Sequence, residues 1–69
     1  MRISARNQIK GTVKDVKKGA TTAHVSVDIG GGHVVMSSIT NESVDTLRIK
    51  PGSSVYVVIK ASDVMIGVD

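Results

Sequence analysis

The chain has no cysteine, no phenylalanine and no tryptophan, and it has one proline and one tyrosine. Without thiols there is no disulfide framework, no thiolate metal site and no cysteine nucleophile. His24 and His33 are the only imidazoles, too few for a multi-histidine metal site within one chain. Single-strand nucleic-acid binders stack bases on aromatic side chains, and Tyr56 alone makes no such platform. No apolar run approaches the roughly 20 residues of a membrane span, and no basic and apolar leader opens the chain. The expectation is a cytoplasmic protein that does not enter a membrane.

What is present is a β-branched diet. Hydrophobic residues make up 41% of the chain, Val and Ile carry most of them, and such residues favour strands. The 69 residues form one domain, 1–69. A chain of this size buries roughly 60% of its unfolded surface, so its own core is marginal. Small scaffolds compensate with disulfides, a structural metal or oligomerisation, and oligomerisation is the route left. The net charge of +3 points to an anionic partner: nucleic acid, membrane surface or small anion.

Hydrophobic periodicity gives the order of elements. Ile9, Gly11 and Val13 share one face, with Lys10, Thr12 and Lys14 on the other. Ala23, Val25, Val27 and Ile29 then alternate with Thr22, His24, Ser26 and Asp28, the period of a half-buried strand. Gly30-Gly31-Gly32 reads as a hairpin turn into a strand over His33–Ile39. It precedes a strand and lacks the Lys-Ser/Thr of a phosphate loop. Thr40-Asn41-Glu42-Ser43 reads as a helix start, with Val44 and Leu47 spaced for a buried face. Pro51-Gly52 ends that segment. Val55, Val57 and Ile59 alternate as a fourth strand, and the run Val64–Val68 is expected to form a fifth after the polar corner Ala61-Ser62-Asp63. Strand, strand, strand, short helix, strand, strand is the order of an all-β fold, a small five-stranded antiparallel barrel of the OB type with its helix between strands three and four.

Catalysis finds little support. His24 lies on the polar face of an alternating strand and His33 at a turn exit, both positions for a solvated imidazole. No pair of carboxylates sits in an apolar setting that would separate their pKa values. Lys10, Lys14, Lys17 and Lys18 read equally as a solvated strand face that discourages edge pairing. A tetrahedral dianion fits the remaining polar groups better, since it wants many donors and no carboxylate nearby. The opening ISARNQIKG gathers Ser4, Arg6, Asn7 and Gln8, and Lys60-Ala61-Ser62 ends a strand in a cation and a hydroxyl. Charge-assisted bonds from Arg6 and Lys60, completed by Ser4, Ser62 and backbone amides, would satisfy such an ion. Ser37, Ser38 and Thr40 offer hydroxyls at another strand end, and the amides of Gly19-Ala20-Thr21 could form an anion-binding nest. Each group alone also reads as ordinary turn, terminus or strand chemistry; their conjunction is what suggests a ligand.

Three stretches, ISARNQIKG, VSVDIGGGHVVMSSIT and VVIKASDVMIGVD, resemble the molbindins, small cytoplasmic molybdate-binding proteins, over essentially the whole chain in one copy. The specific signature is the opening SARNQ followed at the right distance by K-x-[ST]-D-V-M-[IL]. The resemblance implies an OB-like barrel assembled as a hexamer, a trimer of dimers, with oxyanions held between subunits and no cofactor. One kind of pocket would then take Ser4, Arg6, Lys60 and the Ala61 backbone from one subunit, and Ser37, Ser38 or Thr40 from its neighbour. A second kind, nearer the threefold axis, would use the backbone around Gly19, Ala20 and Thr21. Ala61 stands where relatives often carry serine, which leaves the contact to its amide or to Ser62. A single copy is expected, with neither a helix-turn-helix nor an ATPase attached. The implied function is non-catalytic storage or homeostasis of molybdate, and of tungstate. The alternative is an OB-fold module for single-stranded nucleic acid.

Overall fold

The computed structural model describes residues 1–69. Four strands, β1 (Asn7–Lys18), β2 (Thr22–Gly30), β3 (His33–Thr40) and β4 (Ser54–Ile59), form one antiparallel sheet in the order β3-β2-β1-β4. A short helix, α1 (Asn41–Thr46), joins β3 to β4, and a single 3-10 turn (Ala61–Asp63) follows β4. No helix is long and apolar enough to cross a membrane.

The period-two patterns place the core. Ala23, Val25 and Val27 of β2 are buried on the inner face with Val13 of β1 and Val44 of α1, and Val16, Ile39, Ile49, Val55 and Val57 pack around them. In β1 the alternation slips by one residue, because a bulge between Val13 and Asp15 leaves Lys14 without a partner in β2. An extra residue on one strand resets which side chains face inward. Val16 therefore joins Val13 on the inner face, although simple alternation separates them.

Two glycine sites follow from geometry. In the β2–β3 hairpin, Gly30 pairs with His33 across Gly31 and Gly32, whose φ values of 63° and 79° suit a two-residue turn with left-handed centres. Gly11 is required for space: a Cβ there would lie 2.6 Å from Val27 Cγ1 and 2.7 Å from the Asp28 carbonyl oxygen.

The helix begins as its sequence predicts, since the Thr40 hydroxyl accepts from the Ser43 amide at 3.0 Å. It ends earlier than the Val44/Leu47 spacing suggests. Arg48 takes a left-handed φ of 54° and the Ile49 amide reaches back to the Val44 carbonyl, closing the helix and leaving Leu47 66% exposed. Val44 is thus the helix's one buried residue.

The fifth strand is absent from the single chain, and the sheet does not close into a barrel. Val64–Val68 has the alternation of a strand but no neighbour within the chain to supply its ladder of hydrogen bonds, and Met65, Ile66 and Val68 stand in solvent. The 3-10 turn after Lys60 carries the segment off the sheet instead of folding it back on β4.

Candidate anion site at the β1–β4 corner

The register of β1 against β4 builds the site. Asn7 stands opposite Ile59 at the last rung, so the residues just beyond it on each strand, Arg6 and Lys60, emerge at the same corner. The Asn7 side-chain amide donates to the Ile59 carbonyl at 3.2 Å, and Gln8 Nε2 donates to the Ala5 carbonyl at 3.1 Å. Ala5 is buried between two exposed neighbours, Ser4 and Arg6. That small apolar anchor fixes the backbone while leaving the hydroxyl and guanidinium free. On the β4 side, Lys60, Ala61 and Ser62 are all exposed, and the first amides of the 3-10 turn, those of Ala61 and Ser62, have no partner within it.

The corner holds two unpaired cations, with Asp63 three residues from Lys60 in the 3-10 turn. The chain's one ion pair joins Lys18 to Asp45 at 2.6 Å, far along the sheet, so Arg6 and Lys60 have no carboxylate partner. Two cations just beyond the last rung, with the Ser4 and Ser62 hydroxyls two residues further along each strand end, are donor types that could replace the hydration of an oxyanion with charge-assisted hydrogen bonds.

The hydroxyls of β3 are not part of this corner. β3 and β4 are opposite edges of the sheet, and Ser38 lies opposite His24, which in turn pairs with Lys17 near the far end of β1. Among the three, Thr40 Oγ1 is committed to the helix cap and donates to Ser43 Oγ at 2.8 Å. Ser37 is half-buried and faces the apolar side, while Ser38 is exposed on the outer face. Neither recess in the surface of the single chain lies at the Arg6–Lys60 corner.

The Gly19–Thr21 turn joins β1 to β2. The Gly19 amide donates to the Thr22 carbonyl at 2.7 Å, which removes one donor from any nest there. Asn41 braces the turn from the helix start: its amide bonds the Thr21 carbonyl and its side chain donates to the Gly19 carbonyl, both at 2.9 Å. Ala20 and Thr21 keep their amides free of backbone partners. The sequence singles out Ser4, Arg6 and Lys60 as donors and counts Asn7 among them, but it does not show that Asn7 ties β1 to β4, that Ala5 is buried, or that Asn41 braces the turn. An alanine or asparagine carries no mark of its partners until the register is known. His24 and His33 are both exposed, and no three metal-ligating side chains come together.

Four matches with known proteins bear on this site. Residues 3–66 match the TOBE domain family. The chain is 52% identical over 66 residues to molybdenum-pterin-binding protein 3 of Clostridium pasteurianum, covering 96% of this chain and 97% of the relative. Among solved structures, MopII from Clostridium pasteurianum superposes with a TM-score of 0.90 at 46% identity, over 97% of this chain and 100% of the other. The cytoplasmic molybdate-binding protein ModG, in a form with molybdate bound, superposes with a TM-score of 0.94 at 46% identity. That match covers all of this chain and 49% of ModG.

Proposed function

Because this chain belongs to the TOBE-domain family, and within it to the small molybdenum-pterin-binding proteins, we propose that it is a non-catalytic binder of molybdate, and of tungstate. The anion sits between subunits of a cytoplasmic homo-oligomer, a hexamer built as a trimer of dimers, where it is stored or kept at a steady level. Names borne by the relatives support the ligand, and ModG, called cytoplasmic, supports the compartment.

The observation that carries the reading is the meeting of Arg6 and Lys60 at a corner free of carboxylate partners. Both would contribute charge, with Ser4, Ser62 and the Ala61 amide completing the shell by hydrogen bonds. In one chain the donors sit on one side only, and Ser37 and Ser38 lie at the opposite sheet edge. A second copy placing its β3 end over the corner would surround the anion. Ser38 suits that role better than Thr40, whose hydroxyl already serves the helix. A weaker second site would use the free amides of Ala20 and Thr21. The outer face carries a single aromatic, Tyr56, beside Lys10, which gives the nucleic-acid alternative no run of stacking surfaces.

Thermal unfolding with molybdate, tungstate, sulfate or phosphate tests the proposal. A ligand bound only to the native state raises stability by RT ln(1 + [L]/Kd). Stabilisation by molybdate and tungstate with little from sulfate is the expected result. Equal shifts with every dianion would reduce the corner to a nonspecific basic patch, and no shift would refute the assignment.

A further inference from the structure

The turn that offers the weaker anion site is held by the helix as well as by its own strands. Asn41, the first residue of α1, reaches it twice. Its backbone amide donates to the Thr21 carbonyl and its side-chain Nδ2 to the Gly19 carbonyl, each at 2.9 Å. No peptide bond in the chain is cis, so each carbonyl points opposite to the amide that shares its plane. Holding the Gly19 carbonyl towards Asn41 therefore turns the Ala20 amide away from the helix, and Ala20 is exposed. The peptide that carries the Thr21 amide lies between the two held carbonyls.

Neither the helix nor the core needs this side chain. Thr40 already caps α1 through the Ser43 amide, and Val44 is the helix's buried residue. Asn41 Oδ1 is buried with no hydrogen-bond partner in the chain, a costly state for an acceptor. A leucine of similar size would escape that cost. What the amide supplies, and an apolar residue could not, is the donor to Gly19. The helix has a second, separate tie to β1, the Lys18–Asp45 ion pair at 2.6 Å, which leaves the turn carbonyls alone. The turn itself is drawn tight, since a Cβ at Gly19 would lie 3.0 Å from the Thr22 carbonyl oxygen.

We infer that Asn41 is the positioning residue of the weaker anion site: by fixing the Gly19 carbonyl it presents the Ala20 and Thr21 amides before any oxyanion arrives. An anion that binds the amides of a loose turn must first order that turn, and a turn already in its bound conformation is spared the cost. Asn41 itself does not touch the anion. Its Nδ2 is committed to Gly19, and Oδ1, an acceptor, would repel an oxyanion. The inference rests on the proposed oxyanion binding and concerns one of its two sites. The Arg6–Lys60 corner lies at the other end of β1, where Asn41 has no contact.

The test is an NMR titration of the isotopically labelled full chain with molybdate, in wild type, Asn41→Leu and Asp45→Asn. The backbone amides of Ala20 and Thr21 report the weaker site and that of Ala61 the corner. N41L keeps the bulk and removes the donor, whereas D45N loosens the helix against β1 without touching the turn. In N41L the Ala20 and Thr21 amides should saturate at roughly 3- to 10-fold more molybdate than in wild type, the worth of one hydrogen bond. Ala61 should saturate alike in all three proteins, and D45N should match wild type at both sites. Unfolding of N41L without anion should stay near that of wild type, because the lost bond is offset by the lost orphan acceptor. Equal saturation of Ala20 and Thr21 in N41L and wild type overturns the inference. So does an equal loss in D45N, which would make Asn41 one general support among several. A wild-type response at Ala61 with none at Ala20 or Thr21 also overturns it and leaves the corner standing. Silence at all three amides refutes the oxyanion reading and the inference with it. Should N41L fail to fold, Asn41→Ala, which demands no space, takes its place with the same expected outcome.

Discussion

Asn7 and Ile59, 52 positions apart in the chain, face each other at the last rung of the β1–β4 ladder, and the Asn7 side chain adds its own bond to the Ile59 carbonyl. This clamp holds the start of β1 against the end of β4, and so holds Arg6 near Lys60. Asn7→Ala should lower stability by about 0.5–1.5 kcal/mol, the usual worth of one hydrogen bond. It should also weaken oxyanion binding although the side chain is not expected to touch the anion. Urea unfolding reads the first effect and calorimetric titration with molybdate the second. Unchanged binding would mean that the corner is held without the clamp.

Arg6→Ala and Lys60→Ala should act the other way round. Both side chains are exposed and neither has a carboxylate partner, so stability without anion should be close to that of the wild type. Molybdate affinity should fall in each variant by about 2–5 kcal/mol, the typical cost of removing one partner of a buried charge pair. Titration of both variants at one ionic strength checks this, and wild-type affinity in either would remove that residue from the site.

Thr40→Ala separates two roles that the sequence leaves mixed. Loss of the cap should cost about 1 kcal/mol of stability. If the hydroxyl serves only the helix, molybdate affinity should survive, whereas Ser38→Ala should reduce it by about 0.5–1.5 kcal/mol. The opposite outcome would assign the contact to Thr40.

Gly11→Ala tests the packing of β1 on β2. The added methyl has no room beside Val27 and the Asp28 carbonyl, so backbone must shift. A loss of about 1–3 kcal/mol is expected, as for other overpacked sites. Thermal unfolding measures it, and a neutral result would show that the strands can separate locally at no cost.

The sequence by itself determined the local elements. Alternation marked β2 and β4 because a pleated strand shows successive side chains to opposite faces. Three glycines marked the hairpin because only glycine takes left-handed φ without a Cβ penalty, and Thr40 marked the helix start because its hydroxyl can serve an orphan amide. It also supplied the chemistry of Ser4, Arg6 and Lys60, which is a matter of residue type.

Register and partnership were decided only in the tertiary structure. Nothing near Lys14 in the sequence announces the bulge that turns Val16 inward, because a bulge exists only relative to a second strand. The nearness of Arg6 to Lys60, and the distance of both from Ser37 and Ser38, follow from the order β3-β2-β1-β4 and its pairings, which are long-range contacts. Val64–Val68 shows the same rule from the other side. Its apolar run was legible, but a run states only that a segment would bury side chains, whereas forming the strand requires a neighbour's amides and carbonyls, and this chain offers its tail none.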